Sequence, residues 1–189
     1  TVLLSAYALL IHRYTQQENF LINAPAGMRA LPGWANTVGY FVNPLILSVD
    51  FTGISSFVEL LRRTHENYRL VLDHQMYPYL EVLRHLHKQA GAAQLYAGII
   101  GFVFVSRRQS FRETAPFEPR RSEQGGRPQA LTLTVFEGAD EISGLFTYDE
   151  GRFETAFIER LSGHLQNLLV QIVEDPGQAL HEFPLLTPA

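Results

Sequence analysis

The chain has 189 residues, 46% of them apolar and 18% charged. That charge fraction lies below the ~25% of ordinary soluble domains while the apolar content is ordinary, which excludes an intrinsically disordered chain. Fifteen Lys and Arg against nineteen Asp and Glu, with no Cys, exclude the electrostatic footprint of a nucleic-acid binder, disulfide scaffolds and thiol chemistry.

In length the chain fits one domain or one lobe of a larger one. Thr1 is followed at once by an apolar helical pattern, with no Met and no signal-peptide architecture, so the chain reads as a fragment of a longer polypeptide. Residues 2–15 predict a helix buried on more than one side, since Leu3 and Ile11 broaden the stripe of Val2, Ala6, Leu9, Leu10 and Tyr14. Phe20 to Ala24 predicts a buried strand, residues 25–37 a Pro- and Gly-punctuated loop, and Leu45 to Val49 a second strand. Ser56 and Glu59 have capping-box spacing, and Phe57, Leu60, Leu61, Tyr68, Val71 and Leu72 continue as a helical stripe. Pro78 separates that helix from another running through Val82 to Gln89.

Ile99 to Ser106 is β-branched and aromatic, which predicts a buried strand. The longest apolar run, Leu95 to Val105, is far short of the ~20 residues that span a bilayer. Residues 107–129, with Pro116, Pro119, Gly125, Gly126 and Pro128, predict a long irregular stretch. Leu131 to Phe136 and Ile142 to Tyr148 predict a hairpin. Phe157, Leu161, Leu165, Leu168 and Ile172 mark a final helix, which Asp175-Pro176-Gly177 ends. Phe183 to Pro188 reads as an extended linker segment. The class is α/β (α+β), one mixed sheet flanked by helices.

Simple catalytic constellations are missing. His85 and His87 fall on different faces of a helix, and no H-E-x-x-H occurs, so no metal is expected. There is no G-x-S-x-G elbow and no Gly-rich phosphate loop. Glu137, Asp140, Glu141, Asp149 and Glu150 cluster in sequence and read as solvated turns rather than paired catalytic carboxylates. His12, His65 and His164 sit in helical patterns and read as surface or backbone-bonded side chains.

Two strings stand out: Val38-Gly39-Tyr40-Phe41-Val42-Asn43-Pro44 and His74-Gln75-Met76-Tyr77-Pro78-Tyr79. They resemble the I/V-G-x-F-V-N-T and H-Q-D-x-P-F-E strings of condensation domains of nonribosomal peptide synthetases. The resemblance extends through LLSAYALLIHRYTQQENFLINAPAGMR, GLFTYDEGRFETAFIERLSGHLQNLL and the linker-like FPLLTPA, in the family's order. Pro44 stands where the family has Thr, Met76 where it has Asp, and Leu80 where it has Glu. The string R-D-x-S-R-x-P does not occur. Elongating, starter, hybrid and non-catalytic subtypes all remain open.

The resemblance implies one lobe, the C-terminal one, of a two-lobed chloramphenicol-acetyltransferase-like fold. Residues 1–182 would form that subdomain, and 183–189 would begin a linker to an adenylation domain. The catalytic H-H-x-x-x-D-G belongs to the other lobe, and no His-His pair occurs here, so no catalytic residue is expected in this chain. By resemblance, a carrier-bound amine attacks a carrier-bound acyl thioester in a tunnel between the lobes. Gly39, Phe41, Asn43, Phe104 and Ser106 are its candidate wall positions. For Asn43 and Ser106 a structural hydrogen bond is the competing reading. Val38, Tyr40, Val42, His74, Gln75, Tyr77, Pro78 and Tyr148 are implied as structural motif residues.

No cofactor would bind directly; the phosphopantetheine arms of donor and acceptor carrier proteins would enter the tunnel. The other partners implied are the N-terminal lobe and the adenylation domain, with neither nucleic acid nor membrane, in the cytoplasm. Residues 107–129 are the candidate crossing to the other lobe. The alternative is a non-catalytic condensation-like module that recruits a carrier protein or tailoring enzyme. A stand-alone acyltransferase using coenzyme A is a third reading, against which the linker-like tail argues.

Overall fold

A helix that is apolar around most of its circumference needs neighbours on most sides, and α1 (Val2–Thr15) has them: Leu4 through Ile11 are all buried. The computed structural model describes residues 1–27, 33–34, 37–90, 100–106, 118–121 and 130–185, with backbone alone at 87–90 and 118–121. At the end of α1, Gln16 turns into the left-handed region (φ 57°) and its N–H closes the helix on the His12 carbonyl.

The chain then enters β1 (Asn19–Asn23), crosses a short strand β2 (Ala26–Gly27), and returns through β3 (Val42–Asn43) and β4 (Ile46–Asp50). Helix α2 (Phe57–Asp73) starts where the capping box predicts. Ser56 Oγ accepts the Glu59 N–H at 3.4 Å, but the Glu59 carboxylate reaches back one residue further, to the N–H and hydroxyl of Ser55, both at 2.8 Å. Helix α3 (Tyr79–Ala90) follows Pro78, as proline at a helix start allows.

The remaining elements are β5 (Ile100–Val105), β6 (Glu118–Arg121), β7 (Leu131–Glu137), β8 (Ile142–Tyr148), α4 (Thr155–Glu174) and a 3₁₀ turn at Leu180–Glu182. Strand β6 corrects the expectation that 107–129 is irregular throughout. It pairs in parallel with β8 at the edge of the sheet, where Pro119 is tolerated because one side needs no partner. The rest of 107–129 lies outside the described residues.

Six strands form a mixed sheet in the order β4-β1-β5-β7-β8-β6. Strands β1, β5 and β7 run parallel side by side, while β4 and β8 are antiparallel to β1 and β7. On one face Phe20, Ile22, Leu47, Val49, Phe102, Leu133, Val135, Phe146 and Tyr148 are buried and share one core with α1, α2 and α4. Helix α4 contributes Ile158, Leu161, Leu165, Leu168 and Ile172, the three-to-four spacing read from the sequence. On the other face Leu21, Val103, Val105, Thr134, Phe136 and Leu145 are only half-buried.

The segment after α4 folds back onto this body. Leu180 and Phe183 are buried, the latter completely. Arg13 donates to the Leu180 carbonyl (2.9 Å), Gln171 to that of Pro184 (2.8 Å) and Asn167 to that of Leu185 (3.2 Å). No described helix is long and apolar enough to cross a membrane.

Candidate functional site

The site begins with a register. Strands β1 and β4 pair from Asn19↔Asp50 to Asn23↔Ile46, and β2 and β3 pair Ala26↔Asn43 and Gly27↔Val42. The register runs from one pair of strands into the other without a shift, so Pro25 lies opposite Pro44. Ala24 N–H still donates to the Leu45 carbonyl (2.9 Å). Two facing prolines supply no N–H, and the pairing is interrupted there. β2 and β3 thus form a two-stranded ribbon that extends the β1–β4 pair beyond the sheet. It leaves at the carboxyl ends of the parallel strands, where open sheets commonly hold ligands.

The first motif string leads into this ribbon, and its Val42 and Asn43 are β3. Val38 and Tyr40 are almost fully exposed, at 99% and 81%, and Val42 is 40% exposed. Phe41 faces the other way, half-buried and packed on Trp34 with ring centroids 5.3 Å apart. Gly39 has a steric reason: a Cβ there would stand 3.0 Å from the Phe41 ring. Asn43 is buried at 9% exposure. Its Nδ2 donates to the carbonyls of Gln75 (2.7 Å) and Tyr77 (2.9 Å).

Those two carbonyls belong to the second string. It forms the corner between α2 and α3, where helical carbonyls have run out of intrahelical partners. Within the corner His74 Nδ1–H donates to the Leu70 carbonyl (2.9 Å), and Tyr77 N–H donates to the His74 carbonyl (2.9 Å). Met76 and Tyr77 are more than half exposed, and Pro78 opens the next helix by accepting from the N–H groups of Glu81 and Val82. Asn43 and His74 are 31 positions apart in sequence, and a side-chain amide joins the two strings. Of the two expectations for Asn43, the hydrogen bond to the corner is the contact the structure contains.

Beside this junction lies a largely apolar groove of about 400 Å³, bounded by Pro44, Leu45 and Ile46 of the sheet edge and by Leu70, Val71, His74, Tyr77, Tyr79 and Val82. Further along the same edge, α2 closes the outward-facing carbonyls of β4. Asn67 donates to Ser48 O, and Arg63 donates to Asp50 O (3.3 Å) and Thr52 O (2.8 Å). The Asp50 carboxyl is held below its ordinary range, first by its hydrogen bond from Thr52. This edge seal was not legible in the sequence.

Phe104 and Ser106 lie at the end of β5, so they leave the sheet at the same end as the ribbon. Phe104 is 48% exposed beside Val135 of β7, and Ser106 is half-buried. Tyr148 is not with them. It ends β8, opposite Leu131 at the start of β7, and therefore sits at the other end of the sheet. It is buried, with its hydroxyl 3.0 Å from Thr155 Oγ1 at the start of α4.

The ionisable groups away from this end are ties. His12 bonds the Gln17 carbonyl (2.8 Å) and stacks on Phe51 at 4.1 Å. His164 Nδ1 shares a 2.7 Å hydrogen bond with the Tyr14 hydroxyl, joining α4 to α1. This is a side-chain partner that the surface or backbone reading of His164 missed. Burial, with Arg160 nearby, lowers the His164 pKa, which suits a neutral imidazole accepting from tyrosine. Glu137, Asp140, Glu141 and Glu150 are exposed. Among the described residues no His, Asp and Glu gather into a metal-binding group.

The same architecture recurs in solved structures. Over 98% of its length the chain matches a four-domain nonribosomal peptide synthetase bound to AMP and glycine, with a TM-score of 0.78 and 20% identity, covering 15% of that chain. Over its whole length it matches the complex of the X-domain and OxyB from teicoplanin biosynthesis, with a TM-score of 0.76 and 18% identity, covering 42% of that chain. The fold is that of condensation-type, chloramphenicol-acetyltransferase-like domains. In sequence, the chain is 32% identical over 190 residues to a linear gramicidin synthase of Brevibacillus parabrevis; the match takes in 97% of this chain and 4% of that protein. The condensation-domain family matches residues 1 to 189, and the chain belongs to that family.

Proposed function

We propose that this chain is the C-terminal lobe of an amide-forming condensation domain in a nonribosomal peptide synthetase, with residues 1–182 as the subdomain and a linker to an adenylation domain that starts at 183 with its first side chain still anchored in the core. The observation that carries the reading is the junction at Asn43, which brings the two family strings together at the carboxyl ends of the parallel strands. In this reading the lobe forms one wall of the tunnel. Gly39, Phe41, Asn43, Phe104 and Ser106 lie along that wall or support it. The half-buried second face of the sheet suits cover by the N-terminal lobe.

Two carrier proteins deliver the reactants on phosphopantetheine arms. The acceptor's amine attacks the donor's thioester carbonyl, the new C–N bond forms, and the donor thiol leaves. The base of the H-H-x-x-x-D-G string lies in the other lobe. Past their phosphates the arms are uncharged, so a largely apolar wall with few polar groups accommodates them. The setting is the cytoplasm, without nucleic acid or membrane as partner.

A second reading is recruitment without catalysis, which the likeness to an X-domain in complex with OxyB favours. The two separate on one assay with loaded carrier proteins. The complete domain should form amide and this chain alone should form none. Turnover by this chain alone would overturn the assignment of the base to the other lobe. A complete domain with an intact histidine string that binds its partners yet forms no amide would establish recruitment instead.

A further inference from the structure

The ribbon is joined to the sheet across an interruption in its pairing, because Pro25 and Pro44 face each other where the ladder would continue. Beyond that interruption β2 and β3 pair at only two positions. What fixes the ribbon's angle against the rest of the lobe is therefore not the ladder. A described contact that can do so is the Asn43 carboxamide, which spends both Nδ2 protons on carbonyls of the α2–α3 corner.

A carboxamide is suited to this task, since it presents two protons from one nitrogen to two acceptors. An isosteric carboxylate would present lone pairs to the same two carbonyls. We propose that Asn43 is a positioning residue: it clamps the ribbon to the corner and so sets the orientation of Gly39 and Phe41 for the reaction, without touching the reacting atoms. This rests on the condensation reading above. Loss of the clamp would let the ribbon pivot at the paired prolines. Misorientation of this kind lowers the rate of the bound complex more than its formation.

The test compares wild type, Asn43→Asp and Asn43→Ser in the complete condensation domain, by hydrogen exchange and by single-turnover amide formation from loaded carriers. Asn43→Ser keeps one shorter donor and serves if Asn43→Asp does not fold. Amide exchange at 40–43 and 74–80 should rise together by tenfold or more, while α1 and α4 exchange as in wild type. The single-turnover rate should fall tenfold or more, with the carrier concentration at half-maximal rate within twofold of wild type. Unchanged exchange in both strings would overturn the clamp. Raised exchange with an unchanged rate would overturn its part in positioning. If wild type itself forms no amide, the condensation reading fails, and the exchange comparison still decides the clamp.

Discussion

Replacing Phe183 by alanine should destabilise the fold heavily, although the residue lies beyond the last long helix. The ring is fully buried in the common core, and Phe→Ala at such sites costs about 3–5 kcal/mol. The segment after α4 is held by few contacts and can peel away, so the lower end applies, about 3 kcal/mol. Peeling would also release the carbonyls of Leu180, Pro184 and Leu185 from Arg13, Gln171 and Asn167. With a urea slope of about 2 kcal/mol/M, the midpoint of residues 1–189 should fall by about 1.5 M. Equilibrium unfolding followed by far-ultraviolet circular dichroism reads this directly. Glu182→Ala, on an exposed neighbour, is the control and should change stability by less than about 0.5 kcal/mol. A Phe183→Ala midpoint within about 0.3 M of wild type would refute the reasoning, because the tail would then lie outside the cooperative unit.

Two further outcomes follow from local contacts. The His164 pKa is lowered in the folded state, so below about pH 6.5 the unfolded chain takes up a proton that the folded chain refuses. Stability should be complete above that pH and decline as pH falls toward the folded value; melting temperatures between pH 5 and 8 should show this, and His164→Gln should flatten the slope. Ser56→Ala removes the N-cap acceptor of α2. It should cost about 0.5–1 kcal/mol, the low side of the range because the bond is long, and it is measured in the same urea titration.

What the sequence made legible was whatever repeats. Helices α1, α2 and α4 and the β7–β8 hairpin carry many residues of one period, and their boundaries fell within a few positions. Strand β6 carries Pro119 and only four residues, so its local composition spoke for a loop until pairing with β8 overrode it. The β2–β3 ribbon is two residues on each side, too short for any alternation. Strands β1 and β4 each sit one residue off the expected span, because Asn19 and Asp50 pair through their backbones whatever their side chains prefer.

At the site, the motif strings were visible as strings and their mutual contact was not. The partners of Asn43 are backbone carbonyls, which have no sequence identity to read. A signal did exist: an asparagine in an apolar stretch, if buried, must satisfy its amide. Arg63 and Asn67 lie off the apolar stripe of α2 and cap a sheet edge through backbone carbonyls, which likewise have no sequence identity to read.

The burial of α1 has a consequence for how the protein is made. This helix is made before the sheet and helices that follow it in the chain, yet its neighbours in the core include Phe102, Phe146 and α4. Its contacts with α2 can form early, but those with β5, β8 and α4 wait until most of residues 1–189 are translated, and closing contacts so distant in sequence is slow. Exposed apolar surface held that long invites aggregation. Yield from a heterologous host should therefore depend on chaperone supply and growth temperature more than on the stability of the finished fold.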